Sequence, residues 1–154
     1  MFAFLLFEMA CKQSQICLVP QLITIQGVYV SQDTSSTIKD TVLDNAIWLF
    51  GKDSLFYTQS RNTPYFSIVP SQIQDSSVFY FYIDSTTIQT SIPDTITLYS
   101  QRNLHFISSA CGFQTYHELQ AVKYSTLTID SIYISDPNVD NQINKKHLQV
   151  VIKK

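Results

Sequence analysis

Short apolar runs separated by turn-forming residues recur along the 154-residue chain, and this pattern restricts the fold more than any other feature of the sequence. Runs of about four to nine residues are typical of strands, because helices need longer segments with a 3.6-residue period. The pattern predicts an all-β fold, a single antiparallel β-sandwich of immunoglobulin-like or related two-sheet architecture. The predicted strands are residues 22–30, 46–51, 54–58, 65–69, 77–83, 86–91, 95–101, 104–108, 115–124, 127–135 and 146–152.

Alternation within the runs predicts which side chains enter the core. In the run 77–83, Phe79 and Phe81 fall on one face, whereas Tyr80 and Tyr82 fall on the other. Successive side chains of a strand point to opposite faces of the sheet, so we expect one of these faces to be buried and the other to meet water or a partner.

The sequence also predicts a bulge within one run and the loops and turns between the runs. The run 127–135 changes phase in its middle, so a bulge at Asp130-Ser131 is needed to place its isoleucines on one buried face. The segments 31–45 and 136–145 are predicted to be long loops.

Asp followed by Ser or Thr recurs close to the runs, where a short carboxylate closes a turn by accepting hydrogen bonds from nearby backbone N–H groups. These acidic residues are Asp33, Asp40, Asp53, Asp75, Asp84, Asp94 and Asp130.

The charge of the chain excludes one class of function. Only 14% of the residues are charged and the formal net charge is −2, so there is no basic field to attract a phosphate backbone. We therefore expect no binding of nucleic acid.

The beginning of the chain has features of an export signal. Residues 1–10 contain a short apolar run without a basic segment, which we interpret as the remnant of a signal or leader. Ala10 and Cys11 match the end of a lipobox, although Glu8 stands where an apolar residue is expected. We expect a polar tether at 11–16 and one domain at 17–154. The alternative is that the apolar run is an ordinary first strand of the core.

The three cysteines fit export as well. If Cys11 carries a lipid, Cys17 and Cys111 remain as a pair that can form a disulfide in an oxidising compartment. The alternative is two separate buried thiols in a cytosolic protein. Neither the cysteines nor the three histidines have the close spacing of metal ligands, so no metal site and no cofactor is expected.

Motifs of common enzymes are absent from the sequence. There is no nucleophile elbow, no glycine-rich phosphate loop and no dinucleotide fingerprint. Cys111 and His117 could form a thiol and base only if a turn brought them together. The loop 136–141 offers oxygen ligands for Ca²⁺, but a plain turn explains it more simply. We therefore expect a protein without catalytic activity, with a hydrolase that has an unrecognised site as the weakest alternative.

Tyrosines provide the one candidate ligand face. Tyr80 and Tyr82 share the outward side of their strand, and Tyr57, Tyr65 and Tyr99 come from other predicted strands. Exposed Tyr side chains can stack on sugars or contact a protein. The alternative is that this face packs under another sheet or loop.

The order of these features resembles a family of Bacteroidota-type envelope lipoproteins that has no assigned chemistry. The resemblance rests on the apolar leader, Cys11, Ile16-Cys17, the first strand, Ser109-Ala110-Cys111-Gly112-Phe113, Ile129-Asp130-Ser131-Ile132 and Asp136-Pro137-Asn138-Val139. It implies a β-sandwich-like domain on a lipid tether at Cys11.

The sequence therefore predicts a non-catalytic outer-membrane lipoprotein that contacts other envelope proteins or wall components, and a glycan-binding module using Tyr80 and Tyr82 is the alternative. The residues after Cys11 are not acidic, which favours the periplasmic face over the cell surface.

Overall fold

Strands form the regular structure in the computed structural model, which describes residue 17 and residues 22–32, 38–40, 47–51, 57–60, 63–83, 92–142 and 144–153. The strands are β1 (Ile25–Gln32), β2 (Ile38–Asp40), β3 (Ile47–Gly51), β4 (Tyr57–Ser60), β5 (Tyr65–Ile68), β6 (Ser76–Ile83), β7 (Asp94–Ser108), β8 (Gly112–Tyr124), β9 (Ile129–Ile134), β10 (Asn138–Val139) and β11 (Leu148–Ile152). No helix occurs in these ranges, so the all-β class is confirmed. The leader 1–10, the tether 11–16 and the predicted strand 86–91 lie outside the described residues.

The strands form two sheets that share one core. A five-stranded sheet has the order β2-β1-β11-β9, with β5 also paired to β1, and a six-stranded sheet has the order β10-β8-β7-β6-β3-β4. Tyr29 and Leu148 of the five-stranded sheet and Phe81 and Leu98 of the six-stranded sheet belong to the same buried cluster. Two sheets packed on a common apolar core are a β-sandwich, as predicted.

One strand pair corrects the prediction of a purely antiparallel sandwich. β1 and β11 run parallel, with Gly27 opposite Leu148 and Val30 opposite Val151. Parallel neighbours cannot be joined by a tight hairpin and need a long crossover. Here almost the whole domain lies between the two strands, so the constraint is met and the five-stranded sheet is mixed.

The alternation predicted for β6 is confirmed. Phe79 and Phe81 are buried in the core, whereas Tyr80 and Tyr82 are half-buried on the other face of the sheet.

The bulge predicted in β9 is also confirmed. Ser131 lies opposite Val151 and Ile129 opposite Ile152, so Asp130 is the extra residue on its strand. The shift buries Ile129 together with the isoleucines that follow the bulge.

Strand β7 corrects another prediction, because the expected strands 95–101 and 104–108 form one continuous strand. Its first half pairs with β6 as far as Tyr99, opposite Ser76. Beyond that point β7 pairs with β8 alone among the described strands, and its residues 101–106 are exposed on both faces. Polar residues in mid-strand are tolerated there because this part of β7 extends beyond the packed sheets of the sandwich.

The two predicted long loops contain short strands. β2 lies within 31–45 and pairs with β1, and β10 lies within 136–145 and pairs with β8. Strands of two or three residues are too short to show a period, which is why the sequence pattern did not reveal them.

A glycine allows β1 and β5 to approach closely. Gly27 lies directly opposite Phe66, and a Cβ atom at Gly27 would overlap the Phe66 ring. That ring also packs on Tyr29, with centroids 4.8 Å apart. The aromatic side chain therefore fills the space that the glycine leaves in the core.

Candidate functional site

A disulfide joins Cys17 to Cys111, as the sequence analysis expected. The Cα atoms are 4.9 Å apart, within the range of about 4.4–6.8 Å typical of such bonds. Cys17 precedes β1, and Cys111 lies in the turn between β7 and β8. The bond therefore ties the chain before the first strand to the far end of a long hairpin. Cys11, the expected lipidation site, lies outside the described residues.

The turn that presents Cys111 depends on local hydrogen bonding and on a glycine. The backbone N–H of Cys111 donates to Ser108 Oγ at 3.1 Å. Gly112 follows with a φ of 70°, a left-handed conformation that side chains disfavour. Gly112 also pairs with Ser108 to close the hairpin. Cys111 is thereby held at the outer end of the longest strand pair among the described residues.

We call residues 101–108 and 112–116 the ribbon, because they form a two-stranded extension of the sandwich. β6 pairs with β7 no further than Tyr99, and β10 pairs with β8 only at His117 and Glu118. Within the described residues, the ribbon strands thus pair only with each other. Isolated two-stranded ribbons are marginally stable in water, so the disulfide at its end restrains an otherwise weak element.

One face of the ribbon is apolar and exposed. Leu104, Phe106 and Phe113 are 70%, 55% and 64% exposed, and we call these three side chains the tip face. The Phe106 and Phe113 rings lie on paired residues and meet edge to face, with centroids 5.2 Å apart. Their face continues the core face of β7 beyond the point where the five-stranded sheet covers it. The three side chains thus form a cluster of exposed apolar surface.

The opposite face of the ribbon is polar and aromatic. The His105 and Tyr116 rings are stacked, with centroids 4.9 Å apart, beside Asn103 and Gln114. The ribbon is therefore amphipathic.

The tyrosines of the predicted ligand face do not form one exposed patch. Tyr80 and Tyr82 share a face of β6 but are half-buried, and Tyr65 belongs to the other sheet. Tyr99 is on a strand adjacent to β6, but it pairs with Ser76, at the other end of β6 from Tyr82. The side chain of Tyr57 lies outside the described residues.

A serine and a histidine meet on neighbouring strands, but both are buried. Ser100 Oγ and His117 Nδ1 are 3.3 Å apart, and the two residues are 6% and 2% exposed. Burial lowers the pKa of His117, the nearby Arg102 charge lowers it further, and Asp75 opposes this shift. The pair is closed to a substrate from solvent. Cys111 cannot act as a thiol beside His117 while it is in the disulfide.

In the acidic loop that offered oxygen ligands, one lysine lies between the two carboxylates and balances part of their charge. Lys145 Nζ lies 3.0 Å from an Asp140 oxygen and 3.6 Å from an Asp136 oxygen. The same carboxylates accept hydrogen bonds from the backbone N–H groups two residues on, Asn138 at 2.9 Å and Gln142 at 2.8 Å. Within the described residues, no three His, Cys, Asp or Glu side chains converge as a metal site. These contacts are those of a plain turn.

Asp94 does not close a local turn, which is the role that the sequence analysis expects of it. Its buried carboxylate accepts hydrogen bonds from Ser125 Oγ at 2.6 Å and from the N–H groups of Leu127, Thr128 and Ile129 at 2.7, 2.6 and 3.0 Å. A further bond comes from Thr128 Oγ1 at 2.5 Å. The donors follow Asp94 by more than 30 residues in the chain, so the carboxylate links the start of β7 to the turn between β8 and β9.

The sequence analysis did not identify the tip face. A signal was present, because no Asp, Glu, Lys or Arg occurs between Arg102 and Glu118 although the segment contains a turn. Turns on a protein surface are usually polar, so an uncharged hairpin end with apolar side chains on both strands is unusual. Within the described ranges, no helix is long and apolar enough to cross a bilayer.

Comparisons with known proteins place the chain by its sequence. No curated protein and no solved structure matches it significantly. A model of one protein family, described as a family of unknown function (DUF6452), matches residues 41–152. This match covers most of the chain and spans the strands from β3 to β11, including the ribbon. The chain therefore belongs to the DUF6452 family, whose function is unknown.

Proposed function

We propose that this protein is a non-catalytic lipoprotein domain of the bacterial cell envelope, tethered to the outer membrane by lipid on Cys11 and facing the periplasm. The observation that carries the proposal is the disulfide between Cys17 and Cys111. Such bonds persist in oxidising compartments and are rare in the cytosol, so the bond supports export. The small residue Ala10 before Cys11 supports lipid attachment there.

The role of the domain is contact with other envelope components. The exposed tip face is an apolar contact surface on a restrained element. The buried Ser100 and His117 pair offers no comparable access for a substrate. Contact through the ribbon therefore has better support than catalysis.

Mass spectrometry of the protein isolated from its native cells, alkylated without reductant, tests this proposal. We expect a lipid-modified Cys11 and no alkylation at Cys17 or Cys111. In cells, Cys11→Ser should move the protein from the membrane to the soluble fraction. The matched control Cys17→Ser should leave it in the membrane with Cys111 freed for alkylation. Unmodified, alkylatable thiols at Cys11 and Cys17 would contradict both the anchor and the oxidising location.

A further inference from the structure

The composition of the ribbon suits contact with a medium less polar than water. Residues 103–117 contain no Asp, Glu, Lys or Arg. The basic residue directly before this segment, Arg102, is paired with Asp75, with Nε and Oδ1 2.6 Å apart. Burying residues 103–117 therefore desolvates no Asp, Glu, Lys or Arg side chain of this segment, and it removes the exposed apolar surface of the tip face from water.

The disulfide determines what the tip face can reach. Cys111 lies at the end of the ribbon, directly before Gly112 and Phe113, and it is bonded to Cys17. Cys17 follows Cys11 by six residues, and such a segment spans at most about 20 Å. A lipid on Cys11 would thus hold the ribbon end within about 20 Å of the bilayer, less than the thickness of its hydrocarbon core.

We propose that the tip face inserts into the membrane surface beside the Cys11 anchor, so that the bilayer itself is the partner of the ribbon. This inference rests on the proposed lipid anchor and adds a second attachment point. Two weak attachments to one membrane hold a domain more firmly than either does alone, and here they also fix its orientation.

The insertion is shallow, because each ribbon strand has one edge that pairs with no other described strand. Unpaired backbone groups are not tolerated in the hydrocarbon region, but they can bond water and headgroups at the interface. His105, exposed on the other face, suits that depth because its ring has an apolar body and a polar tip.

A tethered vesicle assay tests the insertion with the full chain and an intact disulfide. Cys11 is then the single free thiol of the three cysteines, and it can be coupled to a maleimide lipid in vesicles of phosphatidylethanolamine and phosphatidylglycerol. Phe106→Trp reports on the tip face. Tyr133→Trp is the matched control, because Tyr133 is an exposed aromatic residue on β9 outside the ribbon. The emission of native Trp48 is subtracted.

Lipids brominated near the headgroup end of their acyl chains should quench most of the added emission of Phe106→Trp and little of that of Tyr133→Trp. Adding Leu104→Ser and Phe113→Ser to the reporter chain should restore the emission. Equal quenching of the two reporters would overturn the proposal. An untethered dimer that these serine variants dissociate would also overturn it, by assigning the tip face to a second copy of the chain. Because the coupling supplies the tether, the result does not depend on whether cells attach a lipid to Cys11.

Discussion

A single buried carboxylate, Asp94, fixes the turn between β8 and β9. Burial raises the pKa of Asp94, but the hydrogen bonds from Ser125, Thr128 and Leu127 together outweigh it and hold the pKa below its ordinary value. The folded state therefore favours the charged form. Because the folded pKa lies below the unfolded value of 3.8, this stabilisation is complete above that value and is lost as the pH falls through the folded pKa.

Asp94→Asn should lower the free energy of unfolding at neutral pH by about 2–3 kcal/mol, because an amide accepts fewer and weaker hydrogen bonds than a carboxylate. Its stability should also change less than that of the native chain between about pH 5 and 3. Urea unfolding at a series of pH values measures both effects. Asp130→Asn, at the exposed bulge, is the control and should change stability by less than about 0.5 kcal/mol. Equal losses in the two variants would show that Asp94 has no special role.

At the scale of elements, the ribbon depends on its covalent link. Among the described residues, no second sheet packs on the apolar face of this two-stranded extension, so the disulfide and continuity with the sheet are the restraints on its order.

Reduction of the disulfide, or Cys17→Ser, should speed amide hydrogen exchange at residues 103–107 and 113–116. Exchange at residues 95–99, where β7 pairs with β6, should change much less. Global stability should fall by at most about 4–5 kcal/mol, the chain-entropy value for a loop of this size. Hydrogen exchange followed by mass spectrometry measures the contrast, and Cys11→Ser, which keeps the bond, is the control. Unchanged exchange in the reduced ribbon would mean that its order does not need the disulfide.

The elements also show how far the sequence predicts the fold. The sequence predicts the alternation in β6 and the bulge at Asp130 in β9 because each strand has one buried face with a two-residue period. The sequence predicts two strands in place of β7 because the polar middle of β7 resembles a turn, whereas these residues lie where β7 extends beyond the sandwich. The parallel pairing of β1 with β11 could not be predicted, since a local pattern contains no information about which strands are neighbours.

At the scale of the whole molecule, His147 connects the first and last described strands. The ring Nδ1 of His147 accepts a hydrogen bond from the Gln26 backbone N–H at 2.9 Å, and the backbone N–H of His147 donates to the Gln26 carbonyl at 2.8 Å. Burial lowers the pKa of His147, the charge of Lys145 also lowers it, and Asp136 partly opposes the shift. Protonation at Nδ1 would remove the acceptor that Gln26 uses.

Stability should fall as the pH drops below about 6.5, because the unfolded chain binds the proton before the folded one does. His117, whose pKa is also lowered, adds to the same effect. His147→Gln should lower stability at neutral pH and reduce its pH dependence between about pH 5 and 7. His105→Gln, at an exposed position, is the matched control. Chemical unfolding across this range measures the slope, and identical slopes in the native chain and in His147→Gln would refute the assignment.

The candidate site was only partly predictable at this scale. Cysteine counting predicted the Cys17–Cys111 bond because few pairings were possible. The tip face was missed because exposure depends on where the five-stranded sheet ends, which is a property of the assembled sandwich.

The parallel pair β1 and β11 also determines how the domain would respond to mechanical force. Because the strands run in the same direction, the residues before β1 and the residues after β11 leave the sheet at opposite ends. A pull between them would shear the two strands. The hydrogen bonds that join residues 27–30 to residues 148–151 would then resist together rather than break one at a time. A pull applied upstream of Cys17 would in addition be shared with the hairpin through Cys111. The oxidised domain should therefore resist stretching from its N-terminal side better than the reduced one.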